Sequence, residues 1–283
     1  MTAPTANDTQ QDILTRLEGG VLMVTLNRPA ALNGLTIGMV RELNDRLREA
    51  AASPQVRVVV LTGAGRAFCA GGDIKEFDAI DRNDPEWVKW RDDPVWNDID
   101  NAAERTRRGS EGPLLLHGMP KPTVAMVRGA CVGAAVALAA ACDFRIVSDN
   151  ALFSTAFARI GISGELGASY YVTRLVGVAK ARELFFFADR ILAAEALRIG
   201  MVNQVVADAE LETVTAAFTR RLADGPPLAY RFIKANLNAA ETRTAEEMVG
   251  IEALNQVRVL RSQDAQEAIA AFMEKRTPRF TGR

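Results

Sequence analysis

Histidine is almost absent from this chain, which contains only His117. Catalytic zinc sites usually take two or three histidines as ligands, so the sequence predicts no metal site. A serine hydrolase of the α/β type needs its histidine after the nucleophile, whereas His117 precedes the one serine segment of similar pattern, residues 161–165. That segment also lacks the second glycine of the G-x-S-x-G pattern. The sequence therefore argues against both zinc-dependent and serine-hydrolase chemistry, and we expect His117 to be a packed or capping side chain.

An excess of charge of one sign is also lacking. Lysine and arginine together number 34, aspartate and glutamate 35, and the net charge is -1. Nucleic-acid binders normally carry a basic excess or patch, so we expect no nucleic-acid partner. The longest apolar stretch, Ala130–Cys142, is too short to span a bilayer, for which about 20 residues are needed. We therefore expect no membrane partner either.

Cysteine is scarce, and its spacing matches no motif. Cys69, Cys131 and Cys142 are an odd number for a disulfide framework, and we expect free thiols in a reducing compartment. Residues 1–11 are polar and lack the apolar core of a signal peptide. Together these features predict a cytoplasmic protein.

The regular patterns that are present alternate between strand and helix. The predicted strands form a hairpin at residues 12–27, around Gly19-Gly20, and recur at Val56–Leu61, Thr123–Val127, Phe144–Val147 and Leu152–Ser154. The predicted helices begin after an N-cap at Thr36 and continue at Ala134–Cys142, Val172–Leu175, Ala179–Ala188, Leu211–Leu222, Tyr230–Asn238, Ala245–Leu260 and Ala265–Lys275. Strands mixed with helices, then a helical tail, predict one α/β domain at residues 1–205 and a C-terminal helical region at 206–283.

Residues 78–112 differ in character from the rest of the α/β domain. They are rich in aspartate, asparagine and arginine, and they contain all three tryptophans, Trp87, Trp90 and Trp96. A long polar segment of this kind is typical of an inserted loop with helical pieces. It is either a mobile lid or a polar insertion that the tryptophans anchor to the core.

Small residues dominate two loops that each follow a predicted strand. The first loop, residues 63–73, begins like a dinucleotide-binding motif, but Phe68 stands where that motif requires its last glycine. The second loop comprises residues 129–135. In such loops backbone N–H groups can point outward, and a helix N-terminus favours negative charge. The two loops are either simple tight turns or the two halves of an oxyanion hole, and composition does not decide between them.

Several segments, in order, resemble the crotonase (enoyl-CoA hydratase/isomerase) family over nearly the whole chain. The matching segments are N-R-P-A-A-L-N at 27–33, R-A-F-C-A-G-G-D-I-K-E at 66–76, K-P-T-V-A at 121–125 with Gly129 and Gly133, A-C-D-F-R at 141–145, and E-A-I-A-A-F-M-E-K-R at 267–276. The resemblance implies a ββα spiral fold with perpendicular sheets. It also implies a C-terminal helical region that assembles homotrimers, often paired into hexamers.

The same resemblance implies a site that stabilises the enolate of an acyl-CoA thioester. The oxyanion hole would consist of the backbone N–H groups of Gly72 and Ala134, the second of which replaces the glycine of many relatives. Coenzyme A would enter as part of the substrate, with no permanently bound cofactor.

The contacts to coenzyme A are also carried over by position. Arg66 and Lys75 fall where the family places basic contacts to its phosphates, and Ala70 lies between them. Phe280 would help to hold the adenine end, in its own subunit or a neighbouring one. Ala30 falls where some relatives have another lysine, so that contact is missing.

The chain departs from hydratases at two positions. Ala137 and Phe157 replace the two glutamates that add water in those enzymes, and neither can transfer a proton. Glu165 aligns instead with the single catalytic glutamate of delta-3, delta-2-enoyl-CoA isomerases. A helix N-terminus nearby would lower the pKa of this carboxyl group, whereas an apolar acyl pocket would raise it. Its alternative role is that of a structural carboxylate at a helix start.

Three functions stay open on this basis. The favoured one is isomerisation of an enoyl-CoA double bond with Glu165 as the only base. The second is another reaction of the family: hydration, thioester hydrolysis, decarboxylation, carbon–carbon cleavage or dehalogenation. The third is a non-catalytic protein that binds CoA thioesters.

Overall fold

The described part of the chain begins with the predicted hairpin. The computed structural model describes residues 11–75, 93–95 and 98–283. Strands β1 (Ile13–Glu18) and β2 (Val21–Leu26) pair antiparallel, with Ile13 opposite Leu26. Gly19 and Gly20 both have positive φ angles, of 55° and 84°. Two residues with positive φ form the tight turn that matches the right-handed twist of a hairpin, which is why glycine occupies both positions.

The hairpin continues into a six-stranded sheet with the order β1-β2-β3-β4-β6-β9. All pairs after the hairpin are parallel. The added strands are β3 (Val58–Gly63), β4 (Thr123–Val127), β6 (Phe144–Ser148) and β9 (Gln204–Val206). Residues Val58–Leu61 are almost completely buried because both faces of the sheet are covered.

A second, three-stranded sheet lies at the carboxyl side of the first. It contains β5 (Ala130–Val132), β7 (Leu152–Ser154) and β8 (Ile191–Leu192). The sequence predicted a turn at Gly129–Gly133, but Ala130–Val132 pairs with β7 and is a strand. This correction has a tertiary cause, since the segment becomes extended only through its partner strand.

Helices cover the sheets and form the C-terminal region. Those of the α/β part are α1 (Ile37–Ala52), α2 (Ile99–Gly109), α3 (Glu111–Gly118), α4 (Ala134–Ala141), α5 (Ala168–Phe187) and α6 (Ala193–Arg198). Those that follow are α7 (Leu211–Ala223), α8 (Pro227–Ala240), α9 (Ala245–Leu260) and α10 (Gln263–Glu274). Short 3₁₀ turns lie at Pro29–Ala31, Phe157–Ile160 and Asp208–Glu210. No helix in the described ranges is long and apolar enough to cross a membrane.

Two predicted helices meet at a kink in the structure. The sequence separated Val172–Leu175 from Ala179–Ala188, and α5 is interrupted between them at Gly177, whose φ of 76° and ψ of 162° are not helical. The predicted N-cap of α1 is confirmed, because the Thr36 side chain accepts a hydrogen bond from the Met39 N–H group. Of the predicted insertion at 78–112, helix α2 and the start of α3 are described. Its three tryptophans lie outside the described residues.

The main core fills the space between one face of the large sheet and helices α1, α4 and α5. Helix α7 covers the opposite face, where Leu211 packs against side chains such as Val60 and Ile146. A buried ion pair joins α8 to this core: the Lys234 ammonium lies 2.9 Å from the Asp143 carboxylate and 2.8 Å from the Leu116 carbonyl oxygen. The helical tail is therefore attached to α3 and to the residue that precedes β6 through a desolvated cation.

Candidate active site

Gly72 lies in a loop that a short backbone ladder holds in place. The Leu35 N–H group donates to the Gly71 carbonyl oxygen (2.8 Å), and the Asp73 N–H group donates to the Leu35 carbonyl oxygen (2.9 Å). Gly72 therefore stands opposite Leu35, and its own N–H group points away from that residue because backbone groups alternate in direction along an extended chain. The Gly72 N–H group has no acceptor within the described part of the chain.

The Gly71 position requires glycine for two reasons. Its φ angle is +99°, and a Cβ atom there would lie 2.9 Å from the Val132 carbonyl oxygen. This close approach brings the loop of Gly72 against the loop that precedes α4. Hydrogen bonds from Cys69 to Ala130 and from Val132 to Cys69, both 3.0 Å, join the same two loops.

Ala134 is the first residue of α4, so its N–H group has no acceptor inside the helix. It has no other acceptor among the described residues. The preceding Gly133 makes the turn with φ 56° and ψ −121°, while Ala134 itself has ordinary helical geometry. Alanine is therefore accepted at this position without backbone strain. The helix N-terminus adds a partial positive charge beside this free donor.

Glu165 precedes α5 in a tight turn. The Ala168 N–H group donates to the Glu165 carbonyl oxygen (3.0 Å), and the two residues between them, Leu166 and Gly167, have φ angles of 56° and 72°. A positive φ is uncommon for leucine and costs about 1 kcal/mol or more. The strained turn fixes the direction in which the Glu165 side chain leaves the backbone.

The Glu165 carboxylate is partly buried and makes no hydrogen bond or ion pair with any described residue. Burial alone raises the pKa of this group above the ordinary glutamate range. Of the two opposing effects expected from the sequence, desolvation is thus the one that the structure supports. A carboxylate with a raised pKa and no cation partner is suited to accept a proton near neutral pH.

Gly72, Ala134 and Glu165 line one cavity of about 730 Å³, together with residues of α1, α2 and the start of α3. Two more carboxylates of its described lining, Asp45 and Glu111, are each paired with Arg48. Glu165 is therefore the only carboxylate of the described lining that lacks a cation partner. The cavity brings together two free N–H donors and one free base, which is what removal of a proton next to a carbonyl group requires.

Ala137 and Phe157, the positions that hold glutamates in hydratases, lie in an apolar cluster. They are 0% and 3% exposed and pack with Ala168, while Leu166 and Phe185 cover the cluster. The Phe157 and Phe185 rings stack with centroids 6.1 Å apart. Neither side chain can transfer a proton, so both hydratase glutamates are replaced by buried apolar groups at these positions.

The residues predicted to contact coenzyme A are in different places. Arg66 and Lys75 are exposed and flank Gly72 in sequence. The Ala70 N–H group donates a hydrogen bond to the Leu32 carbonyl oxygen (3.0 Å). Phe280 lies elsewhere: its carbonyl oxygen accepts a hydrogen bond from Arg57, which precedes β3, whereas Arg66 follows that strand. Six strand residues at about 3.3 Å each separate these ends by about 20 Å. Within one chain, Phe280 is thus not part of the cavity.

His117 is packed, as the sequence indicates. Its ring contacts Tyr171 (centroids 5.3 Å apart) and Tyr170 (6.2 Å), and its Nε2 atom lies 3.5 Å from the Glu241 carboxylate. The ring therefore joins the end of α3 to α5 and α8 rather than lining the cavity.

The sequence did not reveal the polar part of the cavity wall. Arg41, Asn44, Asp45 and Arg48 follow one another along α1 and all line the cavity. Helical spacing places them beside the apolar stripe, where charged residues ordinarily face solvent. Only the packing of α2 and α3 against α1 makes them part of a cavity wall.

Comparisons with known proteins agree over nearly the full chain. A family model described as enoyl-CoA hydratase/isomerase matches residues 16–283. A protein named "Probable enoyl-CoA hydratase" from Rhodobacter capsulatus is 35% identical over 93% of this chain and 95% of its own length. The 1,2-epoxyphenylacetyl-CoA isomerase of Escherichia coli is 33% identical over 96% of this chain and 98% of its own length. The crystal structure of an enoyl-CoA hydratase from Bacillus anthracis has a TM-score of 0.85 at 29% identity, covering 96% of this chain and 100% of that one.

Proposed function

Because the chain belongs to the enoyl-CoA hydratase/isomerase (crotonase) family, we propose that it moves the double bond of an enoyl-CoA thioester with Glu165 as its only base. The family uses CoA thioesters as substrates and needs no permanent cofactor. The observation that carries the proposal is the composition of the cavity: one desolvated carboxylate without a cation partner, beside two free backbone donors.

In the proposed reaction, Glu165 removes a proton from C2 of a 3-enoyl-CoA. The electron pair of the broken C–H bond moves into the thioester and gives a dienolate. Its oxygen accepts hydrogen bonds from the Gly72 and Ala134 N–H groups, each of which contributes on the order of 3 kcal/mol to lowering the barrier. The same carboxyl group then returns the proton to C4, while the double bond forms between C2 and C3.

One carboxylate is sufficient for this cycle because the proton that it removes is the proton that it returns. Hydration needs a group that activates water and a group that delivers a proton to C2. The apolar cluster around Ala137 and Phe157 supports the isomerase over the hydratase, since it removes both hydratase glutamates and leaves no carboxylate in their place.

Coenzyme A is proposed to bind across the Gly72 loop. Arg66 and Lys75 are exposed cations on either side of that glycine and are suited to its phosphates, with Ala70 between them. Phe280 is proposed to act on a neighbouring subunit, because in its own chain it lies at the far end of β3 from Arg66.

A homotrimer, alone or paired into a hexamer, is proposed as the assembly. The C-terminal helices expose many large apolar side chains: Ile233, Leu237, Val249, Leu254, Val257, Leu260, Ile269, Phe272 and Met273. An exposed apolar surface of this extent is typical of a protein–protein interface. We propose residues 206–283 as the region that carries it, and the cytoplasm as its location.

The experiment that tests the reaction compares 3-enoyl-CoA and 2-enoyl-CoA substrates of matched chain length. The wild-type protein is expected to convert the first without hydrating the second. Glu165→Gln is expected to lower kcat by about a thousandfold or more, since it removes the only base. Arg66→Ala, as the matched variant, is expected to raise KM and leave kcat nearly unchanged.

Efficient hydration of the 2-enoyl substrate would contradict the assignment and favour hydration by Glu165 with a partner outside the apolar cluster. Unchanged turnover in Glu165→Gln would show that Glu165 is not the base. Absence of turnover on both substrates would favour another thioester reaction or a non-catalytic role in binding.

A further inference from the structure

The cavity extends well beyond the reacting groups. Its reactive end lies at Gly72, which stands opposite Leu35, directly before the N-cap of α1. Its lining then follows α1 as far as Arg48. From Thr36 to Arg48 the helix rises about 18 Å, at 1.5 Å per residue. At that distal end the Arg48 guanidinium is paired with Glu111 from α3. An acyl chain whose thioester sits at Gly72 therefore points along α1.

The character of the wall changes along this path. Ile37 and Val40 lie in the first turns of α1, and Leu166 faces the same end of the cavity. Beyond them the lining residues are polar or charged, from α1 and from the junction of α2 with α3. A pocket for an alkyl chain is lined mainly by apolar side chains over its whole length. The distal half of this cavity is built for a polar group.

Arg41 has no partner of its own. Its guanidinium makes no hydrogen bond or ion pair with any described residue, although it lines the cavity. Neighbouring cations are occupied: Arg48 binds Asp45 and Glu111, and Arg108 binds Glu104. Arg41 is thus a cation on the cavity wall whose hydrogen-bonding capacity no described residue uses.

Asn44 lies three residues further along α1, on the same side of the helix as Arg41. It lines the cavity and is only 4% exposed. Its Oδ1 atom is buried without a donor and lies near Gly112, and an anion has no proton to offer it. Its Nδ2 group donates to no described residue and is therefore the part of the side chain that can bind an acceptor in the cavity.

We infer that Arg41 and Asn44 hold a carboxylate at the far end of the acyl group, so that the substrates are CoA thioesters of dicarboxylic acids. A guanidinium matches a carboxylate with two parallel N–H···O bonds, and the Asn44 amide adds a further donor to the same group. The anion also complements the one unpaired cation of the described lining. This inference rests on the proposed function and specifies its substrate class.

The test is a comparison of two saturated thioesters of equal length, suberoyl-CoA and octanoyl-CoA, by calorimetric titration. Neither can be isomerised, so binding is measured apart from turnover. The wild-type protein is expected to bind suberoyl-CoA about tenfold more tightly or better. Arg41→Met is expected to abolish that preference while leaving octanoyl-CoA binding unchanged. Arg46→Met is the control, because Arg46 lies on the same helix, does not line the cavity and is paired with Glu42 and Glu49.

Equal or tighter binding of octanoyl-CoA by the wild-type protein would overturn the inference and show that Arg41 and Asn44 hold only water. An equal loss of both ligands in Arg41→Met, or no binding of either thioester, would overturn it as well. Arg41 is exposed, so its replacement leaves the core intact. Failure of the isomerase assay would contradict the proposed reaction alone, since the preference for suberoyl-CoA does not depend on turnover.

Discussion

At the scale of single residues, the site depends on which polar groups have partners. Asp45 and Glu111 are neutralised by Arg48, whereas Glu165 is not neutralised by any described residue. Burying an unpaired carboxylate is unfavourable for folding. An unpaired, partly buried carboxylate with a raised pKa is for this reason a candidate functional group.

This cost predicts how Glu165→Gln changes stability. Burial raises the pKa of Glu165, so between the ordinary glutamate pKa and the raised one the folded chain binds a proton that the unfolded chain has lost. Stability therefore falls as pH rises through that window. The variant lacks this loss and is expected to have a higher free energy of unfolding at neutral pH, with no difference at pH values below the ordinary glutamate pKa. Urea unfolding at several pH values measures this difference in the free energy of unfolding between the variant and the wild type.

Glu111→Gln is the control, and its effect on the free energy of unfolding is expected to have the opposite sign. The hydrogen bond from Arg48 lowers the pKa of Glu111, so its carboxylate stabilises the fold above the ordinary glutamate pKa, and this contribution is lost as pH falls. The control variant is therefore expected to be less stable than wild type at neutral pH. A change of the same sign in both variants would contradict the account of Glu165.

At the scale of elements, helix α4 connects the proposed oxyanion donor to the core. Ala134 begins this helix, and all of its residues are buried. At its other end the Arg145 guanidinium donates to the Cys142 carbonyl oxygen (2.5 Å) and to those of Ala139 and Ala140 (3.4 Å each). A cation at a helix C-terminus is stabilised by the helix dipole and satisfies carbonyl groups that have no partner in the helix. Arg145 thereby fixes the position of the short helix that presents Ala134.

Replacing Arg145 by methionine leaves buried carbonyl groups without donors. We expect Arg145→Met to lower the free energy of unfolding by about 3 kcal/mol, because each unsatisfied buried group costs about 1–3 kcal/mol. Arg198→Met, at an exposed arginine that pairs with Glu195 of its own helix, is expected to change it much less. Chemical denaturation measures the free energy of unfolding of both variants. Equal effects would show that the contacts of Arg145 with the C-terminus of α4 do not stabilise the fold.

At the scale of the whole molecule, the C-terminal helices give the chain two different surfaces. One surface attaches to the core through Lys234 and its buried partners. The other carries the exposed apolar side chains of α8, α9 and α10. In a single chain this second surface is exposed to water, which is unfavourable for apolar side chains. Contact with a second copy of the chain can remove them from water.

Light scattering coupled to size exclusion is expected to give a mass three or six times the chain mass of 30.7 kDa. Leu254→Glu places a charge in the exposed apolar surface of α9 and is expected to shift the protein towards the monomer. Glu252→Gln, on the same helix, is the control and is expected to keep the assembly. A wild-type mass of one chain would contradict the proposed trimer.

The sequence alone determined much of the backbone structure of this protein, through the order of its local patterns. The hairpin turn at Gly19-Gly20, the N-cap at Thr36 and the alternation of strand and helix all follow from local backbone preferences, and they appear in the structure. The motifs that resemble the crotonase family were recognisable for the same reason, since each is a short continuous segment. The absence of carboxylates at Ala137 and Phe157 could also be read directly from the chain.

Only the tertiary structure decided which distant residues share a cavity and which polar groups have partners. Residues 130–132 become a strand because β7 lies beside them, and Glu165 loses solvent contact only through burial in the folded chain. Arg41 and Asn44 look like residues of a solvent-facing helix side until α2 and α3 pack beside them and form a cavity that both residues line. Local sequence determines backbone geometry, whereas burial and pairing depend on contacts between segments far apart in the chain.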